Sequence, residues 1–145
     1  MIMKEKFFKL IHLIKSNTSL EIEEFEDECD YHFHIYANDD CYWISLSKDE
    51  KEVAVGFGYA HRHFNYDEYT PEKGLKHFSE LISHNLIKTS FLRGNRSYRT
   101  KIEIQYPNRA ELLADVSFFY FNFWQKRSTV TKTIPAVIRP DILNK

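Results

Sequence analysis

The chain has 145 residues, 43% hydrophobic and 28% charged, and its 20 Lys and Arg against 21 Asp and Glu leave a formal net charge of −1. That length suits one domain, 1–145, with a core of its own. The composition excludes a disordered chain, a membrane protein and an overall basic nucleic-acid binder.

At the N-terminus, Lys4, Glu5, Lys6 and Lys9 interrupt the apolar residues, so the uninterrupted apolar core of a secretory signal is missing. No stretch approaches the ~18 consecutive apolar residues of a membrane-spanning helix. Cys29 and Cys41 lack C-x-x-C spacing, and reduced thiols in a cytoplasmic protein are the expectation. Over 4–16, Phe7, Phe8, Leu10, Ile11 and Ile14 fall on one face at a period near 3.6, which predicts an amphipathic helix. Residues 21–30 then hold seven acids in ten, a density that demands solvent and reads as a linker or an exposed edge.

Three strands are predicted next, over 31–37, 41–47 and 52–59. Tyr31, Phe33 and Ile35 alternate with His32, His34 and Tyr36, while Tyr42, Ile44 and Leu46 alternate with Cys41, Trp43 and Ser45. In the third run Val53, Val55, Phe57 and Tyr59 share a face, and Ala54, Gly56 and Gly58 leave the other nearly bare, as if another group lay close there. Thr70-Pro71-Glu72 opens a second helix, because Thr caps, Pro fits the first helical position and Glu meets the positive dipole end. Residues 86–93 and 97–106 flank Gly94-Asn95-Arg96 as a hairpin. Residues 109–115 read as one or two helical turns. The run 116–124 is apolar on both faces, as a covered strand or an interface would be, and 129–134 is expected as its hairpin partner. The expected class is α+β: an antiparallel sheet of about six to seven strands with two main helices on one face, in the order α-βββ-α-ββββ.

Chemistry-bearing residues form no strong motif. His32/His34 and His61/His63 are H-x-H pairs, and on a strand such a pair can chelate zinc with a third ligand. Parity places His32 and His34 opposite the apolar face. It places His61 and His63 on that face if the third strand runs on, so the pairs point to different sides unless a bulge or turn intervenes. The four glycines form neither a P-loop nor G-x-G-x-x-G, and no nucleophile elbow occurs. No metal, cofactor or catalytic residue is therefore assigned.

Charge is divided along the chain. Residues 1–72 hold 7 basic and 16 acidic residues, a balance of −9, while 73–145 hold 13 and 5, a balance of +8. A negative face recruits basic proteins and repels nucleic acid. The candidate partner-binding residues are accordingly Glu23, Glu24, Glu26, Asp27, Glu28, Asp30, Asp39 and Asp40, with Tyr42 and Trp43 as aromatic anchors. Two alternatives stand beside this one. A His-dependent or metal-dependent hydrolase or nuclease would use His61 and His63. An RNA-binding module would use Arg93, Arg96, Arg99, Lys101, Arg109, Lys126 and Arg127 interleaved with Phe91, Tyr98, Tyr106 and Trp124.

The stretch Val53-Ala54-Val55-Gly56-Phe57-Gly58-Tyr59-Ala60-His61-Arg62-His63-Phe64, leading into Tyr69-Thr70-Pro71-Glu72-Lys73-Gly74-Leu75-Lys76-His77-Phe78, resembles small bacterial proteins in which a strand ends in H-x-H-F and a helix follows. Such proteins belong to the broad group of immunity proteins that neutralise cognate toxins in bacterial competition, including polymorphic-toxin and contact-dependent inhibition systems. The resemblance spans about residues 31–106 and carries over no specific binding residue. It implies a non-catalytic, cytosolic protein without cofactor that binds one toxin domain, with a nuclease as the expected toxin and no membrane or nucleic-acid partner.

Overall fold

The computed structural model describes residues 2–67, 69–119 and 124–143. Its elements are α1 (Met3–Lys15), β1 (Glu21–Glu26), β2 (Asp30–Ala37), β3 (Asp40–Ser47), β4 (Glu52–Phe57), β5 (Ala60–Asn65), α2 (Pro71–Ser83), β6 (Leu86–Arg93), β7 (Arg96–Gln105), β8 (Ala110–Ser117), β9 (Arg127–Ile134) and α3 (Pro140–Leu143). The class is α+β, but the strands form two antiparallel sheets instead of one. Five lie in the order β1-β2-β3-β4-β5 and four in the order β8-β7-β6-β9. Among the described residues no helix is long and apolar enough to cross a membrane.

The helices form where the sequence predicts. Met3, Phe7, Ile11 and Ile14 of α1 are buried, with Phe8 set edge-on to Tyr31 of β2 at 5.4 Å. Helix α2 starts with Pro71 and buries Phe78, Leu81 and Ile82, and its Gly74 passes so close to β4 that a Cβ would stand 2.6 Å from Val53 Cγ1. Both helices cover one face of the first sheet, over Phe33, Ile35, Ile44, Leu46, Val53 and Val55. Leu86, Ile102, Ile104 and Ile134 of the second sheet belong to the same core. Between the sheets, β5 lies beside β8 without a hydrogen-bonded ladder.

Several expectations give way to tertiary pairing. Of the two readings of the acidic run, the exposed edge holds: most of it forms the edge strand β1, whose exposed residues keep their charges in water. The third predicted strand stops at Phe57, because Gly58 takes φ +60° and reverses the chain into β5, leaving Tyr59 89% exposed instead of on the apolar face. Residues 110–117 form β8 instead of helical turns, since the Pro107-Asn108 break returns the chain alongside β7. The apolar run 116–124 is not one strand: β8 ends at Ser117, Phe118 and Phe119 are exposed, and 120–123 lie outside the described residues. Its expected hairpin partner, β9, pairs with β6 instead. The expected hairpin forms, but its loop is Gly94-Asn95 alone because Arg96 pairs with Arg93 in the ladder, and Gly94 takes φ +60°, the sign that a type II′ turn requires at that position.

Candidate interaction surface

Reversal at Gly58 decides which way the histidines point. Register runs Phe25↔His32, His32↔Ser45, Ser45↔Ala54 and Ala54↔His63 across the first sheet. The next row runs Glu23↔His34, His34↔Trp43, Trp43↔Gly56 and Gly56↔His61. Directly opposed residues share a face, so all four histidines lie on the outer face, away from the helices. The expected opposition of the two pairs is thereby corrected, and an intervening turn is the cause. They still do not converge: three inter-strand spacings of ~4.8 Å hold the pairs roughly 14 Å apart, far beyond a shared ion with ~2.1 Å bonds.

Ring stacking organises this face. Phe25, 40% exposed, stacks on His32 at 4.6 Å and meets His34 edge-on at 5.2 Å. Tyr36 lies 6.2 Å from His34 and donates its hydroxyl to Glu23 at 3.1 Å. Burial lowers the pKa of His34, which Glu23 partly offsets. The bare face of β4 serves Trp43, whose indole lies over Gly56 and donates Nε1–H to the Gly58 carbonyl at 3.0 Å. That places the indole 6.1 Å from His61, whose Nδ1 donates to the Tyr59 carbonyl at 3.1 Å. His63 lies 5.1 Å from His61, ring to ring, and its Nδ1 is hydrogen-bonded to Glu52.

The ten sequence-derived candidates do not share one face. Glu23 and Trp43 are on the outer face. Glu24 and Glu26 oppose Phe33 and Tyr31, so they point to the helix side, where Lys15 and Lys48 hold them at 2.9 and 2.7 Å. Asp27 closes the β1–β2 turn: it accepts the backbone N–H of Asp30 (2.7 Å) and Cys29 (2.8 Å) and bonds His32 Nε2 (2.9 Å). The Asp30 amide bond, then the His32 and Cys29 bonds, hold its carboxyl down to about 2. Oxygen and nitrogen atoms of Asp27, Asp30 and His32 lie within 4.8 Å of one another, and closure of the turn accounts for that grouping. Glu28 is exposed, and Asp39 sits at φ 60° in the exposed β2–β3 turn. Asp40 faces a cavity between the sheets that Lys88 and Thr100 also line. Tyr42 is 1% exposed and packs edge-on to Phe57 in the core, so its assignment as a partner anchor is withdrawn. Phe25 and His34 are absent from that set, although the alternation that places His32 and His34 away from the core carries the signal.

The charge division is also structural. None of the ion pairs among the described residues joins 1–72 to 73–145. Strands β1–β5 come from the acidic part and β6–β9 from the basic part, so no ladder pairs one with the other. In the basic sheet Asp115 takes Arg99 in a two-pronged bond at 2.8 and 2.6 Å, and Glu103 lies 3.7 Å from Lys101. Arginines lie over Phe91, Tyr98 and Tyr106 at 4.6, 4.8 and 4.5 Å, occupying one face of each ring that RNA stacking would use.

Comparison with protein-family models, curated proteins and solved structures finds no match.

Proposed function

We propose that this chain is a non-catalytic cytosolic binding protein of the immunity type, which neutralises a cognate bacterial toxin nuclease by tight protein–protein association. The outer face of the acidic sheet carries this reading: Phe25, the His32–His34 rings and Trp43 lie on it, with Glu21 and Glu23 on the same face of the edge strand. Aromatic anchors inside a charged rim are the composition of a binding surface. A nuclease needs a basic cleft for its substrate, and an acidic partner both reaches such a cleft quickly and occludes it. The test is co-expression with a nuclease toxin encoded by an adjacent gene. The expected result is a stoichiometric complex without nuclease activity; free nuclease activity in the presence of excess chain would overturn the reading.

A second reading rests on one observation. Glu52 orients the His63 imidazole through Nδ1, and the His61 ring lies 5.1 Å from it, an arrangement that supports general acid–base hydrolysis. Cleavage of RNA by the purified chain, abolished by His61→Ala and by His63→Ala, would establish it in place of the first.

A further inference from the structure

On the opposite side of the first sheet, a cleft of about 330 Å³ opens between β5, α2 and β8. Arg62 donates Nη2–H to the Tyr69 hydroxyl at 3.1 Å and sits 5.1 Å over the Tyr69 ring. The Lys73 ammonium lies 5.7 Å from the same ring, and Lys76 lines the same cleft. Among the described residues no carboxylate is within ion-pair distance of these three cations. Of the two acids that line the cleft, Glu80 accepts from the Tyr106 hydroxyl and Glu111 pairs with Arg109, a fourth cation of the lining. Arg62 and Lys73 thus share one neutral ring, and none of the described carboxylates forms an ion pair with either.

An independent observation points to the same place. His77 lines the cleft, is only 6% exposed, and its Nε2 is buried without a hydrogen-bond partner. A buried polar atom without a partner is destabilising unless a bound group satisfies it. Burial, and then the nearby Arg62 charge, push its pKa down, while Glu111 and Glu80 act the other way. An oxyanion would meet both needs at once, giving counter-charge to Arg62, Lys73 and Lys76 and an acceptor to the Nε2–H of a neutral His77. The volume exceeds what a lone ion needs and falls within the ~300–1,000 Å³ of small-molecule sites.

We propose that this cleft binds the phosphoryl group of a small phosphorylated molecule, with Arg62, Lys73 and Lys76 as its charge-assisted donors. The site is separate from the outer face and does not depend on the function proposed for it.

The experiment is an NMR titration of the isotope-labelled full chain at fixed low ionic strength, with inorganic phosphate in one arm and ribose 5-phosphate in the other. His77, Lys73 and Lys76 resonances should move and saturate, with a Kd on the order of 1 mM for phosphate and tighter binding for ribose 5-phosphate. Lys73→Gln and Lys76→Gln, both at exposed positions where folding is safe, should each weaken binding about tenfold. Lys9→Gln and Lys132→Gln, exposed elsewhere, should leave it unchanged. Failure to saturate, or equal losses in the Lys9 and Lys132 variants, would overturn the site. Equal affinity for the two ligands would overturn the phosphorylated molecule in favour of free phosphate.

Discussion

Trp43 lies over Gly56, and the absence of a side chain on β4 is what lets the indole cross that strand toward His61. A Cβ at residue 56 would overlap the indole edge, so Gly56→Ala must displace the ring and break its bond to the Gly58 carbonyl. A cost of about 1–3 kcal/mol is expected from overpacking and the lost bond, read as a lower urea midpoint with unchanged slope. The near-UV circular dichroism of the indole should change with it. Unaltered stability would mean that Trp43 is not held there.

Gly74 poses the opposite expectation to helix propensity. Alanine in a helix interior ordinarily gains roughly 1 kcal/mol over glycine. Here the new Cβ would come 2.6 Å from Val53 Cγ1 and 3.2 Å from Phe64 Cβ, both on strands that cannot yield easily. Gly74→Ala should therefore destabilise by about 1–3 kcal/mol. A stabilised variant in thermal unfolding would show that α2 does not press on β4 and β5 there.

Stability should fall on mild acidification. His77 and His34 both have pKa values lowered by burial from 6.5, so between that value and their folded values the unfolded chain binds more protons. With more protons on the unfolded state, stability rises with pH in that window, by at most about 1.4 kcal/mol per pH unit for His77 and less for the more accessible His34. Urea midpoints should be level above about pH 7.5 and drop toward pH 5.5. His77→Leu should flatten part of that slope, and an identical slope in the variant would count against a buried neutral His77.

Across the outer face, charge and anchor should separate kinetically. Glu23→Lys is expected to slow association with a basic toxin domain, by roughly tenfold at low salt, with little change in dissociation. Phe25→Ala should act on dissociation instead, at a cost of about 2 kcal/mol in affinity. Glu24→Lys makes the contrast: Glu24 is held by Lys15 on the helix side, so association should change less than with Glu23→Lys. Equal effects from Glu23 and Glu24 in stopped-flow mixing would mean that the outer face is not the contact.

Local pattern was enough to read much of the chain. Period-3.6 spacing located α1, Thr70-Pro71-Glu72 located the start of α2, and alternation separated Phe33, Ile35, Ile44 and Leu46 from His32, His34 and Trp43. Tyr59 escaped that reading because alternation continues through a turn on paper, whereas Gly58 at φ +60° ends the strand. Tyr42 is a core residue because its alternation with Cys41 and Trp43 turns it inward, whatever its ring would offer an interface.

By itself the sequence determined the class, the inward-facing residues of α1, β2 and β3, and the separation of acidic from basic chain. Tertiary structure alone decided that nine strands form two sheets, that β9 returns to β6, and that one reversal puts His61 and His63 on the face of His32 and His34. Period-two alternation says that a strand has two faces, but not which neighbour lies beside it, because that choice is made by contacts distant in the chain. The net charge of −1 followed the same logic. Its two opposing parts were visible in the chain, and their separation on different sheets was settled only by strand pairing.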